Sequence, residues 1–225
     1  MRTILKVLVG SQAHGLARPR SDADYRGVFV VPPSELLSRG AKPQSTSWAE
    51  GSDRDDTQWE IAHFLDLATL CIPNVLEVFG APVEESTAEG EELRSLLPYV
   101  WSARGVWQSY NGYASNQWKK FFDDKYGNER GRATKYALAA ARSLMQGRHL
   151  LETGEMMVRL EGAILRQLVS FRDSLEEGAL TRGQALDFMD RLRTALWDAY
   201  QRNDSHEADL HRVNEFLLDV RRNNW

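Results

Sequence analysis

The stretch that decides the fold is residues 10–28, GSQAHGLARPRSDADYRGV, which joins two strand-like segments. Residues 4–9 before it form a short apolar run, and residues 25–31 (YRGVFVV) are β-branched and aromatic and precede two prolines. Both runs predict β-strands. A strand that ends in Gly10-Ser11 predicts a tight turn, whose backbone N–H groups and serine hydroxyl can approach phosphate oxygens.

Two aspartates stand at the entrance of the second strand. Asp22 and Asp24 are two residues apart, so their side chains point to the same side of an extended chain. Carboxylates held this close repel each other unless a cation lies between them. Mg²⁺ fits such a site because it takes oxygen ligands and keeps waters and substrate phosphates in its shell, and Mn²⁺ suits the same ligands. The arrangement predicts in-line attack at phosphorus, with one or two metals stabilising the attacking and leaving oxygens.

Each of these features is weak evidence by itself. A Gly-Ser turn is common, and an Asp-x-Asp pair is usually a capped turn on the surface. Together, between two predicted strands, they indicate a functional site. His14 lies in the same turn, where a local hydrogen bond is a more economical interpretation than a contact with phosphate.

Length and composition predict a globular chain without a membrane anchor. The 225 residues suit one domain or two small ones, and the single cysteine, Cys71, excludes an internal disulfide and favours a cytoplasmic protein. No apolar run near the start is long enough for a signal peptide or a membrane span. Residues 1–100 carry nine Lys/Arg against fifteen Asp/Glu, whereas residues 118–148 carry eight against three. This balance suits carboxylates that hold cations beside bases that hold phosphates, although charge alone favours a solvated helical surface.

The rest of the pattern predicts an α+β domain over residues 1–95 and a helical domain over residues 96–225. In the first domain we expect a loop, a third strand, a helix, and then a short helix or strand, at residues 38–58, 57–61, 62–70 and 74–79 respectively. After residue 91 the pattern is helical. Amphipathic helices are predicted at residues 133–153, with Gly154 as the C-terminal cap, and at residues 184–201 and 208–221.

The order of strand, Gly-Ser, about ten residues and then Asp-x-Asp resembles the nucleotidyltransferase superfamily that includes DNA polymerase β. More closely, residues 10–28 resemble the bacterial and phage proteins called the RNA repair pathway DNA polymerase β family. The pattern of that group is Gly-Ser-x-Ala-x-Gly-Leu, followed by Ser-Asp-x-Asp-x-Arg-Gly-Val. Residues 64–77 resemble its helix that leads to Pro-Asn-x-Leu-Glu, and residues 135–154 resemble its Arg-containing helix that ends in Leu-x-Thr-Gly.

The resemblance implies a small mixed sheet with flanking helices, followed by a helical domain that completes a cleft for nucleotide and acceptor. Asp22 and Asp24 are then metal ligands. The expected nucleotide-binding residues are Gly10, Ser11, Ser21, Arg26, Lys135 and Arg142. Two alternatives stay open: Arg26 can instead form a structural salt bridge, and Lys135 and Arg142, seven residues apart on one helix, can belong to a solvated face.

The superfamily uses a third carboxylate, on a later strand. The candidates are Asp53, Asp55, Asp56 and Glu60. Counting back from Phe64, the position that matches the family is Asp55, with a role as metal ligand and as general base for the attacking hydroxyl. Neighbouring residues of a strand face opposite sides, so Asp55 and Asp56 cannot both point into the site.

The sequence therefore predicts a Mg²⁺-dependent nucleotidyltransferase that moves a nucleoside monophosphate from an NTP such as ATP to an acceptor hydroxyl and releases pyrophosphate. An RNA 3′ end is the favoured acceptor, ahead of a protein side chain or a small molecule. One alternative is a non-catalytic module that binds a nucleotide or a partner. Another is an antitoxin-type nucleotidyltransferase that modifies a protein. The sequence does not specify an oligomeric state.

Overall fold

A computed structural model describes residues 1–40, 45–48, 56–122 and 130–225, with the side chains of residues 47–48 and 130–132 left out of the description. The chain divides into two compact units. Unit 1 comprises Met1–Ser102 and Glu207–Trp225, and unit 2 comprises Ala103–His206. The C-terminal residues thus belong with the N-terminal ones.

Unit 1 is built on a five-stranded mixed sheet in the order β3-β4-β2-β1-β5. The strands are β1 (Arg2–Val9), β2 (Asp24–Val30), β3 (Thr46–Trp48), β4 (Asp56–Glu60) and β5 (Val83–Ser86). β2 runs parallel to β4, whereas β1 is antiparallel to both β2 and β5, and β3 is antiparallel to β4. The predicted α+β class and the three strands around residues 4–9, 25–31 and 57–61 are confirmed.

Eleven helices are present in the described part of the chain. They are α1 (Gly10–His14), α2 (Pro33–Leu36), α3 (Ile61–Thr69), α4 (Pro73–Gly80), α5 (Ala88–Ser95), α6 (Leu97–Val100), α7 (Ala103–Phe122), α8 (Arg130–Thr153), α9 (Gly162–Glu176), α10 (Arg182–Arg202) and α11 (Leu210–Asn223). The segment predicted as either helix or strand, residues 74–79, is helix α4. The helices predicted at residues 62–70, 133–153, 184–201 and 208–221 correspond to α3, α8, α10 and α11.

One face of the sheet forms the core of unit 1. Val28 of β2 lies beside Trp59 of β4 in the parallel ladder, so both side chains face the same way. The Trp59 ring lies 6.1 Å from that of Phe64 on α3, and Phe64 lies 5.4 Å from Phe79 on α4, measured between ring centroids. Because Val28 and Phe64 are fully buried, α3 and α4 cover this face with apolar side chains.

In the described residues no single helix is long and apolar enough to cross a membrane. Only the bent pair α3 and α4, at 109° to each other, passes a test of length and composition.

Unit 2 contains α7 to α10. Helix α8 approaches α7 closely at Gly147, where a Cβ atom would lie 2.8 Å from the ring of the fully buried Tyr110. Gly154 ends α8 as predicted: its φ is +74°, and its N–H donates to the carbonyl of Leu150 at 2.8 Å. Helix α10 begins with a capping box between Thr181 and Gln184.

Candidate nucleotidyltransferase site

The turn between β1 and α1 is built around Gly10. Its φ of +69° lies in the left-handed region, which favours glycine. A Cβ atom at this position would overlap Oδ2 of Asp24 and would lie 2.9 Å from Cγ of Asp24. The structure therefore places the carboxylate of Asp24 directly against the bare Cα of Gly10. No other residue type fits between them without moving the aspartate.

The sheet register explains why these two residues meet. Val9, the last residue of β1, pairs with Asp24, the first residue of β2. Gly10 is the next residue after Val9, so the turn begins beside the carboxylate of Asp24. Asp24 and Arg26 are both half-buried and, being two apart in β2, lie on the same face of the sheet. Arg26 Nη1 donates to the carbonyl of Tyr25 at 2.9 Å.

The segment that precedes β2 is held by hydrogen bonds to α1 and within the loop. Gln12 Nε2 donates to the carbonyl of Ser21 at 3.0 Å. The hydroxyl oxygen of Ser21 accepts from the N–H of Arg18 at 2.8 Å. Asp22 follows Ser21 directly and is exposed. The structure thus places Gly10 against Asp24 and links Ser21, the residue before Asp22, to α1.

Two of the candidates for the third carboxylate are committed to other partners. Asp56 pairs with Tyr25 in the parallel ladder, which puts its side chain on the face opposite to Asp24. There its Oδ2 forms an ion pair with Lys6 Nζ at 2.8 Å. Its Oδ1 is buried and has no hydrogen-bond partner in the described part of the chain.

Glu60, another candidate, caps a helix and pairs with an arginine. Its Oε2 accepts from the N–H of Ala62 at 2.8 Å, which satisfies the first turn of α3. Its Oε1 lies 2.7 Å from Nη1 of Arg221, on α11. The side chain of Glu60 is only 7% exposed, so this pair is largely shielded from water. The two other candidates, Asp53 and Asp55, lie outside the described residues.

A buried contact between a histidine and a glutamate lies next to the turn. Nε2 of His14, at the end of α1, lies 3.1 Å from Oε2 of Glu77 on α4, and both residues are about 4% exposed. The sequence favours a local hydrogen bond for His14; the structure shows in addition a long-range partner, Glu77, 63 residues away. The available signal was Glu77 itself, a single acid within the apolar run of residues 75–79, whose other members are all buried.

Lys135 and Arg142 belong to unit 2, on α8. Lys135 is exposed, and Arg142 is half-buried with its Nη1 donating to Oε1 of Gln146 at 2.9 Å. Gln146 in turn donates to the carbonyl of Met157 at 2.8 Å. Arg142 therefore takes part in a hydrogen-bond chain within its own unit.

The carboxylate oxygens near the turn are suitable ligands for a hard divalent cation. Asp22 and Asp24 supply carboxylate oxygens, the ligands that Mg²⁺ prefers. The close fit of Asp24 against Gly10 holds one of these carboxylates in place. Within residues 1–40, 45–48, 56–122 and 130–225 no group of three His, Cys, Asp or Glu side chains is placed to hold a metal.

A strand followed by Gly10-Ser11, and an Asp-x-Asp segment that leads into the next strand at Asp24, in a mixed α+β unit, indicate a polymerase-β-like nucleotidyltransferase. The comparison with protein families agrees. The sequence profile described as "RNA repair pathway DNA polymerase beta family" matches residues 1–219, and the chain belongs to this family.

Two individual proteins are similar to this chain. The first, "Uncharacterized 38.9 kDa protein in nrdC-mobD intergenic region" of Enterobacteria phage T4, is 25% identical in an alignment of 149 residues that covers 63% of this chain and 41% of the phage protein. The chain thus spans about two fifths of the length of that relative. The second is a nucleotidyltransferase-like protein from Exiguobacterium sibiricum 255-15, with 12% identity, a TM-score of 0.30, and coverage of 99% of this chain and 74% of that one. Because this TM-score is low, the assignment rests on the family match.

Proposed function

We propose that the chain is a Mg²⁺-dependent nucleotidyltransferase that transfers a nucleoside monophosphate from an NTP to an acceptor hydroxyl. The observation that carries the proposal is the contact between the Gly10 turn and the carboxylate of Asp24. At this contact, the backbone N–H groups of the turn, which can bind phosphate, lie next to a carboxylate that can bind a divalent cation. The turn follows the end of β1, and the carboxylate belongs to the first residue of β2, which pairs with β1.

The reaction proceeds by in-line displacement at the α-phosphorus. The acceptor oxygen forms a bond to that phosphorus, and the bond from phosphorus to the bridging oxygen of the β-phosphate breaks. Pyrophosphate leaves with the electron pair of the broken bond. The proton of the acceptor hydroxyl passes to a carboxylate that serves as general base.

Each residue has a proposed role in this step. Gly10 and Ser11 bind the triphosphate, and Asp22 and Asp24 hold the metal, which when bound neutralises charge on the phosphate oxygens. Asp55 is the proposed general base and third metal ligand, because Asp56 and Glu60 are engaged by Lys6 and Arg221. The further nucleotide contacts are proposed for Ser21, Arg26, Lys135 and Arg142.

An RNA 3′ end is the favoured acceptor. The description of the family to which the chain belongs refers to an RNA repair pathway. In addition, residues 118–148 carry eight Lys/Arg against three Asp/Glu, a balance that attracts a phosphodiester backbone. A protein side chain or a small molecule is the alternative acceptor.

The test is incubation with each of the four α-labelled NTPs, Mg²⁺, short RNAs and total cell protein. The wild type is compared with Asp22→Asn/Asp24→Asn. Asp187→Asn/Asp198→Asn is the matched control, because it makes the same change of charge at two exposed positions of α10. We expect label on RNA from the wild type and from the control, and no label from the Asp22/Asp24 variant.

Three other results have distinct meanings. If a protein band is labelled and the labelling requires Asp22 and Asp24, the proposed transfer reaction is supported and the acceptor is a protein instead of RNA. NTP binding by calorimetry without transfer supports a non-catalytic nucleotide-binding module. Transfer that survives in the Asp22/Asp24 variant contradicts the proposed site.

A further inference from the structure

The helix that follows the Gly10 turn is too short to hold itself in place. Helix α1 has five residues, begins without a side-chain cap, and ends at Gly15, whose φ is +75°. A single helical turn is not stable by its own hydrogen bonds, so its position depends on contacts with the rest of the unit. The turn is also tightly constrained, since Asp24 leaves no space for even a Cβ atom at Gly10.

Two side chains of α1 tie it to its surroundings. Gln12 donates to the carbonyl of Ser21, next to Asp22, at 3.0 Å. On the other side, His14 Nε2 donates to the carboxylate of Glu77 at 3.1 Å, and each of these two side chains is only 6% exposed. The His14–Glu77 contact is the anchor between α1 and α4.

The polar character of this anchor calls for an explanation beyond stability. Burying a carboxylate and an imidazole requires their desolvation, and two well-packed apolar residues often serve stability as well or better. The neighbours of Glu77 along α4 are apolar and buried, so Glu77 is the charged member of an otherwise apolar segment. A hydrogen bond, unlike an apolar contact, fixes both a distance and a direction.

We infer that His14 and Glu77 are positioning residues that hold the Gly10–Ser11 turn in the geometry that binds the triphosphate. The inference rests on the proposed nucleotidyltransferase function and adds two residues to its site, which act through the turn and not on the substrate. Small displacements of such a turn have large effects, because binding groups must lie within about half an ångström of the productive geometry.

The decisive variant is His14→Leu/Glu77→Leu, which replaces the pair by apolar side chains. The free energy of unfolding is measured in urea, and the dissociation constant for the NTP that the wild type binds best is measured by calorimetry with Mg²⁺. We expect stability close to that of the wild type but NTP binding with Mg²⁺ weakened about 10-fold, the lower end of the loss of affinity or activity that follows when residues orienting metal ligands are replaced. Wild-type affinity in this variant would overturn the inference.

A second pair of variants keeps the test decisive if the double variant does not fold. His14→Gln retains an N–H donor for Glu77, whereas His14→Met has a similar size and no donor. We expect near-wild-type affinity for the former and about 10-fold weaker binding for the latter. Equal affinities would contradict a positioning role. Absence of NTP binding by the wild type would instead overturn the proposed function itself, and the positioning role with it.

Discussion

Arg221 connects the C-terminal helix α11 to the junction between β4 and α3 in unit 1. Its replacement by methionine tests how much this contact contributes to stability. In the wild type its Nη1 lies 2.7 Å from Oε1 of Glu60 and also donates to the carbonyl of Val31 at 3.1 Å. The Arg221 side chain is 17% exposed and that of Glu60 only 7%. Removing the guanidinium therefore leaves a carboxylate without its counter-charge in a nearly dry environment.

The magnitude follows from this burial. Breaking a buried ion pair by removing one partner costs about 3–5 kcal/mol. Because Glu60 keeps its hydrogen bond from Ala62 at 2.8 Å, we expect Arg221→Met to fall at the lower end, about 3 kcal/mol. With a urea m-value of about 3 kcal/mol/M, the unfolding midpoint then drops by about 1 M.

Urea unfolding followed by circular dichroism measures the loss, and hydrogen exchange of the α3 amides locates it. The matched control is Arg222→Met, since Arg222 pairs with Asp219 on the exposed surface, and it should change stability by no more than about 0.5 kcal/mol. Arg221→Met/Glu60→Gln should recover part of the loss, because it removes the unpaired charge. A loss below about 1 kcal/mol for Arg221→Met, or no recovery in the double variant, would refute this account.

The remaining predictions concern the turn, an ion pair and the cysteine. Gly10→Ala should abolish label transfer and lower stability by about 1–2 kcal/mol, because alanine is strained at a φ of +69° and its Cβ displaces Asp24; wild-type transfer would contradict the proposed site. Arg2 donates a hydrogen bond to Glu89 and thereby lowers the pKa of that carboxyl below 4.5. The contribution of ionised Glu89 to stability is therefore present above about pH 4.5 and is lost as the pH falls through the lowered pKa. Unfolding of the wild type and Glu89→Gln, compared from about pH 7 to about pH 3, should show a difference that shrinks on acidification. Burial raises the pKa of the Cys71 thiol to about 11, so iodoacetamide near neutral pH should label it only in denaturant; rapid labelling of the folded chain would contradict its burial.

Local patterns in the sequence were sufficient for the central elements of unit 1. A short apolar run, a β-branched and aromatic run, and the punctuation by Gly10-Ser11 and by Pro32-Pro33 predicted β1 and β2, and the structure confirms both. The strand β5 escaped prediction because all four of its residues are exposed and it has no apolar face. β3, with three residues, is too short to carry a pattern.

For the candidate site, the sequence connected Gly10 with Asp24 but did not predict the contacts that hold the surrounding elements. Gly10 and Asp24 are separated by one turn and one short loop, so a local sequence motif is enough to connect them. The contact of Glu60 with Arg221, 161 positions later in the numbering, became evident only from the structure. Asp55 stays a sequence-based prediction, because it lies outside the described residues.

The sequence by itself determined the class of the fold, the strands around the turn, the main helices and the family. Each of these depends on residues that are close along the chain, where side-chain periodicity and backbone preference act. Only the tertiary structure decided that His14 meets Glu77, that Lys6 engages Asp56, and that residues 207–225 belong with unit 1. Such contacts depend on how distant elements pack together, and no local pattern specifies which buried charge will find which partner.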